Sequence, residues 1–409
     1  MKAEWKKVKL VELCEITSSK RFHLSERTKN GVPFYCTKEI LQKLRGEEEI
    51  DCDYIDEKFY LQIKEKFGVP VTDDLLLTTR GTIGFPYLYK DTDKFYFADG
   101  NLSWFRNFSN RLNSHFLYYW FLSSLGKAGV DSIAKGTAQK AVPITGLGTL
   151  EISLPPLETQ QKIASILSAY DDLIENNRKQ IKLLEEAAQR LYKEWFVDLR
   201  FPGYENVAIV DGVPEGWRKD SILSFDFFTQ INPNVKKFEG EKFYYATADV
   251  NGTFLDGKGE KVTFSKRPSR ASVQPCENSV WFARMSNSYK ILCCFGKSNI
   301  LASNSIISSG FAGFYSDEKY FGFIYTTIAS GYFNQEKNRY ATGATQVSLT
   351  NEGLKRIEIL VPTENLIIKF STIANHIIKK SELLKNQIQL LQQARDKLLP
   401  RLMSGEMEV

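Results

Sequence analysis

A stripe of apolar residues runs through the middle of the chain, between Leu154 and Phe196. Its members are spaced three or four residues apart, as on one face of a helix: Ile163, Ile166, Tyr170, Leu173, Ile181, Leu184, Ala187 and Leu191. Pro155 and Pro156 predict where this helix starts, and Phe201-Pro202-Gly203 predicts its end. At 1.5 Å per residue the helix is roughly 60 Å long. The polar residues Asn176, Asn177 and Gln180 interrupt the stripe, and such insertions fix the register of paired helices.

The same pattern returns 207 residues further along the chain. Over about 60 residues without gaps, this shift aligns identical residues of the two copies: Gly136 with Gly343, Gln139 with Gln346, Pro155 with Pro362, Ile166 with Ile373, Ala187 with Ala394 and Leu191 with Leu398. Matched Gly, Gln and Pro residues in one register are hard to obtain by chance. The sequence therefore predicts a duplicated unit, a globular part followed by a long helix, twice.

The two globular parts repeat more loosely. The segment PFYCTKEI (33–40) is echoed by FYYATADV (243–250), and DDLLLTTR (73–80) by ENSVWFAR (277–284), which places Arg80 opposite Arg284. These short β-branched and aromatic runs, separated by Gly, Asn and Asp, predict strands and turns. The distances between the segments differ in the two halves, so we expect the loops to have diverged on a common scaffold, as loops that bind different things do.

Together these patterns predict an α+β chain with an internal duplication. Two globular, mixed α/β domains are separated by two long antiparallel helices that form a coiled-coil spacer. The predicted bounds are 1–155 for the first domain, 156–201 for the first long helix, 202–362 for the second domain and 363–409 for the second long helix. The helices are expected to be antiparallel because, if the first runs from the first domain towards the second, the other has to return.

Composition narrows the class of protein. A chain of 409 residues suits two or more domains, and a net charge of +5 allows a polyanionic partner without requiring one. The six cysteines lack CxxC spacing and there are only three histidines, so we expect reduced thiols and no metal site. No apolar stretch reaches the length of a membrane span and no secretory leader is recognisable, which predicts a cytoplasmic protein.

Three segments carry a resemblance to a known family: TTRGTIG (78–84), KGTAQKAVPITGLGTLEISLPP (135–156) and the helix start ETQQKIASIL. The chain resembles the specificity subunit of type I restriction–modification systems, whose order of two target-recognition domains and two long helices spans the whole chain. The second half keeps GATQVSLTNEGLKRIEILVP (343–362) but departs from the pattern at VPTENLIIKF. The resemblance implies a chain that reads double-stranded DNA and has no catalytic site of its own.

The resemblance also implies partners and their cofactors. Methyltransferase subunits, two copies in our expectation, carry S-adenosylmethionine and methylate adenine, whereas restriction subunits supply translocation and cleavage with ATP and Mg²⁺. No cofactor is expected in this chain. The sequence agrees, because its one double proline, in LPPL, lacks the residues of an amino-methyltransferase motif, and no GxxxxGK[ST] loop occurs.

Two other functions remain open. The segment Asp56-Glu57-Lys58, together with Asp51 or Asp53, could bind a metal ion in a stand-alone DNA nuclease, although an acidic surface turn explains it more simply. Alternatively, the same architecture serves a related system in which methylase and nuclease are fused in one partner.

Candidate DNA-binding residues are polar or basic and lie in predicted loops. They are Lys20, Arg21, Thr79, Arg80, Lys135, Thr137, Gln139 and Lys140 in the first half, and Lys266, Arg267, Arg270, Arg284, Thr345 and Gln346 in the second. Arg80 lies among turn-forming glycines, from which it could reach a base edge or a phosphate. Lys266, Arg267 and Arg270 belong to a basic run suited to phosphates. The alternative for each segment is an ordinary solvated loop or strand end, and His23 and His115 are interpreted as structural or surface residues.

The first long helix ends in the bulky residues Tyr192, Trp195 and Phe196, which are candidate anchors for a partner protein. The alternative is that they pack against the neighbouring domain. Two diverged domains on a rigid spacer predict an asymmetric DNA target, made of two short blocks separated by unspecified base pairs. Their centres are expected about one helical turn apart, roughly 10–11 base pairs.

Overall fold

A computed structural model describes residues 5–46, 50–136, 140–232, 234–255, 257, 259–296 and 300–409. The chain forms two compact units. Unit 1 consists of Met1–Leu173 and Leu390–Val409, and unit 2 consists of Ile174–Gln389. Each unit therefore contains one globular domain together with parts of both long helices.

The first domain and the first long helix contain these elements: β1 (Lys6–Lys9), β2 (Glu15–Thr17), β3 (Arg27–Thr28), β4 (Val32–Tyr35), α1 (Thr37–Leu44), β5 (Asp53–Ile55), α2 (Glu57–Lys66), β6 (Leu75–Thr78), β7 (Pro86–Leu88), β8 (Tyr96–Phe97), β9 (Leu102–Arg106), α3 (Ser114–Leu122), α4 (Ser124–Ile133), α5 (Ile144–Thr149), β10 (Glu151–Leu154) and α6 (Leu157–Phe196).

The second domain and the second long helix continue with β11 (Ile209–Val210), β12 (Val213–Pro214), β13 (Arg218–Ser221), β14 (Thr229–Gln230), β15 (Lys242–Tyr245), β16 (Val250–Asn251), β17 (Phe254–Leu255), β18 (Glu260–Val262), β19 (Ala271–Val273), β20 (Ser279–Ala283), β21 (Ile291–Cys294), α7 (Ile300–Asn304), β22 (Ser305–Ser308), β23 (Phe311–Tyr315), α8 (Glu318–Ile328), α9 (Gly331–Arg339), β24 (Ala341–Thr342), β25 (Ser348–Leu349), α10 (Asn351–Lys355), β26 (Glu358–Val361) and α11 (Glu364–Met403). No helix among the described residues is both long and apolar enough to cross a membrane.

The sheets show the predicted duplication. The first domain has an antiparallel sheet in the order β2-β9-β6-β7, and the second has β14-β23-β20-β21. In each domain a second sheet contains one parallel pair, β4 with β8 and β15 with β22. A two-strand ladder joins the start of each domain to the strand before its long helix, β1 with β10 and β13 with β26.

Each domain builds its core on its own stretch of both long helices. In unit 1, Phe105 of β9 and Phe116 of α3 are fully buried in one cluster with Ile163 of α6 and Leu402 of α11. In unit 2, Phe314 of β23 and Phe323 of α8 are buried in one cluster with Phe370 of α11. The helices are therefore part of each core, which explains their strong apolar pattern.

The predicted helix bounds are close to the observed ones, but the predicted apolar stripe needs a correction. Ile166 and Leu173 are 37% and 50% exposed, whereas their neighbours Leu167 and Ile174 are buried. The buried positions 167, 174, 181 and 188 recur every seven residues, the period of paired helices. Both members of each adjacent pair are apolar, so composition alone did not show which of them faces inward.

The long helices run antiparallel, as predicted. In unit 1, Arg395 of α11 donates to Asp171 of α6 at 2.5 Å. In unit 2, Asn177 of α6 donates to Gln387 at 3.5 Å. Along α6 the residue number rises between these contacts, and along α11 it falls. Asn177 is buried, so one of the three predicted polar insertions does face the partner helix.

A charged group lies at the helix pair in unit 2. Lys385 of α11 forms ion pairs with Glu185 of α6 at 3.0 Å and with Glu382 at 3.2 Å, and Thr253 donates to Glu185 at 2.7 Å. Burial alone would lower the pKa of Lys385, but the carboxylates of Glu382 and Glu185 outweigh it and raise that pKa. Such buried pairs specify register more than they add stability.

Candidate nucleic-acid interface

The end of strand β6 forms the centre of the candidate interface in the first domain. Thr79 continues the strand: its N–H donates to Asn101 O at 2.8 Å, and its carbonyl accepts from the N–H of Val142 at 2.9 Å. Its side chain is only 3% exposed. Thr79 therefore supports the site from inside, which corrects its predicted role as a DNA contact.

Arg80, the next residue, is exposed and its backbone is held on two sides. It forms an antiparallel bridge with Ala141, and its carbonyl accepts from the Thr37 hydroxyl at 3.1 Å. The following N–H, of Gly81, donates to Lys140 O at 3.3 Å. Within the described ranges, the Arg80 guanidinium has no hydrogen-bond or ion-pair partner. A fixed backbone thus presents an unengaged cation to solvent.

The segment opposite Arg80 is a glycine-containing loop closed by Lys135 and Ala141. Their backbones exchange two hydrogen bonds, of 2.8 and 2.9 Å. Lys140 lies 3.6 Å from Asp131 in an exposed ion pair, a type of contact that adds little stability and leaves the lysine available. Thr137 and Gln139 lie outside the described residues, so their predicted contacts remain predictions.

Helix α1 adds a basic wall that sequence reasoning missed. Its face with Thr37, Lys38, Leu41 and Arg45 lies across a cleft of about 460 Å³ from the turn that begins with Arg80. The lining includes three cationic side chains and no carboxylate. The spacing of residues 37, 41 and 45 is helical, but nothing in the sequence indicated that this face meets the turn after β6.

The second domain repeats the strand end in a register that corrects the predicted alignment. Thr78 pairs with Leu102 and Ala283 with Phe311, so Ala283 corresponds to Thr78. Thr79 accordingly corresponds to Arg284, and the position of Arg80 is occupied by Met285. Met285 forms an isolated bridge with Ser348, as Arg80 does with Ala141.

Arg284 is therefore a structural residue. Its guanidinium donates to Leu349 O and to Asn351 Oδ1, both at 3.0 Å. Burial lowers its pKa. These contacts tie the strand end to the β24–β25 hairpin, so the proposed DNA contact of Arg284 is corrected to a role in positioning that hairpin.

The β24–β25 hairpin matches the glycine-containing loop of the first domain. Residues 342–347 are exposed, including Thr345 and Gln346. Gly343 has φ +134°, and a Cβ there would lie 2.4 Å from Gln346 O. Only glycine fits this turn. The turn holds Thr345 and Gln346 at the surface, as the prediction of DNA contact requires.

Of the basic residues in the second domain's loop after β18, two are available to a ligand. Lys266 and Arg270 are exposed, and within the described ranges their side chains have no ion-pair partner. Arg267 instead donates to Ala271 O at 3.0 Å and to Phe264 O, and stacks on the Phe264 ring at 4.4 Å. Its hydrogen-bonding groups are largely used within the loop.

In the first domain, Lys20 and Arg21 are exposed, as predicted for phosphate contacts. The Lys20 ammonium lies 4.8 Å from the centre of the Phe67 ring. A cation–π contact at an exposed site is weak, about 0.5–1 kcal/mol, so Lys20 can leave it for a phosphate.

Comparisons with known proteins show what this chain is similar to. Residues 2–186 match the type I restriction modification DNA specificity domain. The chain is 27% identical over 354 residues to the MjaIX specificity subunit of a type I restriction enzyme from Methanocaldococcus jannaschii, covering 82% of this chain and 78% of the relative. It is 26% identical over 369 residues to the HindI specificity subunit from Haemophilus influenzae, covering 73% and 78%. Residues 2–186 therefore match a specificity domain of this type, and most of the chain is similar to type I restriction enzyme specificity subunits.

A solved structure shows that the fold is shared along the whole chain. The S subunit of a type I restriction–modification system from M. genitalium superposes with a TM-score of 0.58 at 17% identity, covering 97% of this chain and 96% of that one. The fold of two mixed domains and two long helices is therefore shared with that S subunit.

The predicted partner anchors at the end of the first long helix are buried. Tyr192, Trp195 and Phe196 are 8%, 7% and 5% exposed and belong to the core of unit 2. Phe196 lies 4.8 Å from Phe370 and 5.1 Å from Phe323, measured between ring centroids. The alternative, packing against the second domain, is the one the structure shows, and it corrects the partner-binding interpretation.

The acidic cluster considered for a nuclease has structural contacts. Asp56 caps helix α2 by accepting from the N–H groups of Lys58 and Phe59 at 2.9 and 3.2 Å. Asp53 forms an ion pair with Arg27 at 2.6 Å. Across the described residues, no group of three or more His, Cys, Asp or Glu side chains is arranged to hold a metal ion. Asp53 and Asp56 therefore have structural contacts in the described part of the chain.

Proposed function

We propose that this chain is the non-catalytic DNA-reading specificity subunit of a type I restriction–modification complex. Each domain reads one block of an asymmetric, two-block duplex target. The observation that carries the proposal is the repeated edge: in both domains a buried strand ends beside a glycine turn, at Arg80 and Ala141 in one and at Met285 and Ser348 in the other. The two edges share their backbone and differ in the side chains they expose.

The differences between the edges are the reason to expect two different blocks. The first presents an arginine and a basic helix face across a cleft. The second presents Met285, the exposed Thr345 and Gln346, and the basic residues Lys266 and Arg270. Since side chains at such edges decide which bases are accepted, the two blocks differ and the target is not a palindrome.

The proposal includes partners and their cofactors. Methyltransferase subunits, two in number, and restriction subunits dock on the chain and bring S-adenosylmethionine, ATP and Mg²⁺. The chain itself binds none of these cofactors. The matched relatives are named as specificity subunits of type I restriction enzymes, which supports this division of labour.

The test is selection by the purified full chain from a library of randomised DNA duplexes, followed by sequencing of the bound fraction. Two different short blocks at a constant gap are expected, with centres about 10–11 base pairs apart. Enrichment of one continuous block, or of no sequence at all, contradicts the proposal.

A parallel assay addresses the nuclease alternative. The full chain is incubated with plasmid DNA and Mg²⁺, together with the variant Asp56→Ser, in which a hydroxyl still caps helix α2. No cleavage is expected from either protein. Cleavage by the parent that disappears in Asp56→Ser would establish the nuclease instead.

A further inference from the structure

We propose that Arg80 reads a guanine within the first domain's DNA block, while Lys38 holds a phosphate beside it. This inference rests on the proposed function and deepens it, because it names the base and the residue that distinguishes it. The alternative for Arg80 is a further phosphate contact without sequence preference.

The first argument is the way in which Arg80 is held. Thr79 before it is locked into the sheet by backbone hydrogen bonds of 2.8 and 2.9 Å, and Gly81 after it donates to Lys140 O. The Thr37 hydroxyl donates to the carbonyl of Arg80 itself. A phosphate can be reached from many directions, whereas a contact to a base edge depends on where the side chain starts, and here the backbone contacts fix that starting point.

The second argument is the chemistry of the free side chain. Arg80 is exposed, and no acceptor among the described residues engages its guanidinium. A guanidinium presents parallel N–H donors that match the O6 and N7 acceptors of guanine, and this pairing is the commonest specific arginine–base contact. The exposed guanidinium of Arg80, at the end of a strand held by backbone hydrogen bonds, is suited to this contact.

The third argument is the surrounding cleft. Lys38 and Arg45 lie on the same face of α1 and line the cleft together with Arg80. They are seven residues apart, so roughly 10 Å separates them along the helix axis. The lining contains no carboxylate. The cleft therefore favours a polyanion, and the exposed Lys38 can hold a phosphate of the DNA backbone beside Arg80.

The second domain lacks this arrangement, which makes the inference specific. Both domains start the segment after the parallel strand in the same way: Glu39 accepts from the N–H of Cys36 at 2.8 Å, and Asp249 from the N–H of Ala246 at 2.7 Å. The first domain continues into eight residues of α1, whereas the second has only a single 3-10 turn before β16. The guanine-reading arginine is thus a property of the first domain alone.

The experiment repeats the duplex selection with the full chain and measures affinity and salt dependence on the selected duplex. The variants are Arg80→Ala, Arg80→Lys and Lys38→Ala. The matched control is Arg111→Ala, which removes an exposed arginine of the same domain that does not line the cleft. Thermal unfolding of every variant verifies that the fold is retained.

Arg80→Ala is expected to keep both blocks but to lose the preference for guanine at one position of one block, by about 5–150-fold. Arg80→Lys restores affinity without restoring that preference, because an ammonium lacks the planar fork. Lys38→Ala keeps the full motif, binds all duplexes more weakly and lowers the salt slope by up to ~0.9. Arg111→Ala leaves the motif unchanged.

Several results overturn the inference. An unchanged motif for Arg80→Ala, with uniform weakening that Arg80→Lys repairs, makes Arg80 a phosphate contact. A parent motif without any guanine, or a preference lost at several positions in both blocks, also contradicts it. If the parent enriches no motif, the proposed function itself fails, and this outcome is distinct from the others.

Discussion

The two domains attach to the long helices through the same positions but with different chemistry. In the first, Gln160 of α6 is fully buried and makes three hydrogen bonds: it accepts from the Asn113 N–H at 2.9 Å and donates to the carbonyls of Arg111 and Pro155, both at 2.8 Å. In the second, the position 207 residues later is Ile367, also buried. The hydrogen bonds of Gln160 in the first half are thus replaced by the apolar packing of Ile367 in the second.

In the second half, aromatic rings contribute to the apolar packing between the domain and the long helices. Ile163 of the first half corresponds to Phe370, which lies 5.6 Å from Trp195 and 6.2 Å from Tyr192 between ring centroids. The approach of α8 to α11 is close, since a Cβ on Gly322 would lie 2.8 Å from the Ala374 Cβ. The difference shows that a duplicated scaffold keeps the places where domain and helix meet while their side chains diverge. The strand edges at Arg80 and Met285, proposed to face DNA, diverge in the same way.

The largest expected effect breaks the aromatic attachment. Phe370→Ala removes a fully buried ring and should lower the stability of unit 2 by about 3–5 kcal/mol. Because a chain of two units need not unfold in a single step, hydrogen exchange followed by mass spectrometry is the appropriate measurement, with peptides from each unit analysed separately. Ile373→Ala, at a 46% exposed position of the same helix, is the control and should change stability by less than about 0.5 kcal/mol. Equal loss of protection in both units would contradict the local role of the ring.

The next prediction separates two arginines that the sequence alone made equivalent. Arg284→Ala removes two hydrogen bonds from a charged donor and should cost about 1.5–3 kcal/mol, seen as faster exchange of residues 341–349. Arg80→Ala removes no side-chain hydrogen bond or ion pair among the described residues and should leave stability within about 0.5 kcal/mol. Arg284→Lys keeps the charge but lacks the planar guanidinium with its several N–H donors, so it should restore only part of the protection of residues 341–349 from hydrogen exchange. Full hairpin protection in Arg284→Ala combined with lost DNA binding would return Arg284 to the DNA-contacting residues.

A reciprocal exchange of Gln160 and Ile367 sharpens the comparison of the two attachments. Gln160→Ile leaves the Asn113 N–H and two carbonyls without their partner, and should cost about 1–3 kcal/mol in unit 1. Ile367→Gln buries an amide among apolar groups and should cost about 1–3 kcal/mol in unit 2. Exchange measured in each unit should show that each substitution destabilises only its own half. If either residue is tolerated at the other's position, the two attachments are interchangeable.

The sequence predicted the duplication, the helix bounds to within a few residues and the antiparallel pairing, because these depend on periodicity and on residues matched at a constant spacing. It did not predict the inward face at Leu167 and Ile174, where each has an apolar neighbour. The predicted alignment of Arg80 with Arg284 is wrong by one residue, because the sequence of a short strand does not show its register. The residue pairs between β20 and β23 give the correct alignment. The cleft beside α1 depends on a tertiary contact, which the local sequence pattern does not show. The aromatic residues after Leu191 suit a domain core as well as a partner surface, so the sequence did not predict that they are buried.

The smallest expected effect concerns charge in the second domain and compares three neighbours in one loop. Lys266 and Arg270 are exposed without an ion-pair partner among the described residues, whereas Arg267 is stacked on Phe264 and bonded to the carbonyl of Ala271. If the first two neutralise phosphates, each change to Ala should lower the salt slope of DNA binding by up to ~0.9, equivalent to about a 3.5-fold smaller loss of affinity between 50 and 200 mM salt. Arg267→Ala should leave the slope nearly unchanged and instead loosen the loop, because its guanidinium is engaged within it.

Fluorescence anisotropy with one duplex across this salt range measures all three variants, and a duplex of unrelated sequence should give the same slopes, since phosphates carry no sequence information. If the salt slope of DNA binding falls as much for Arg267→Ala as for the other two variants, Arg267 leaves Phe264 to reach the DNA. Contacts within the free chain would then not decide which basic side chains bind phosphates.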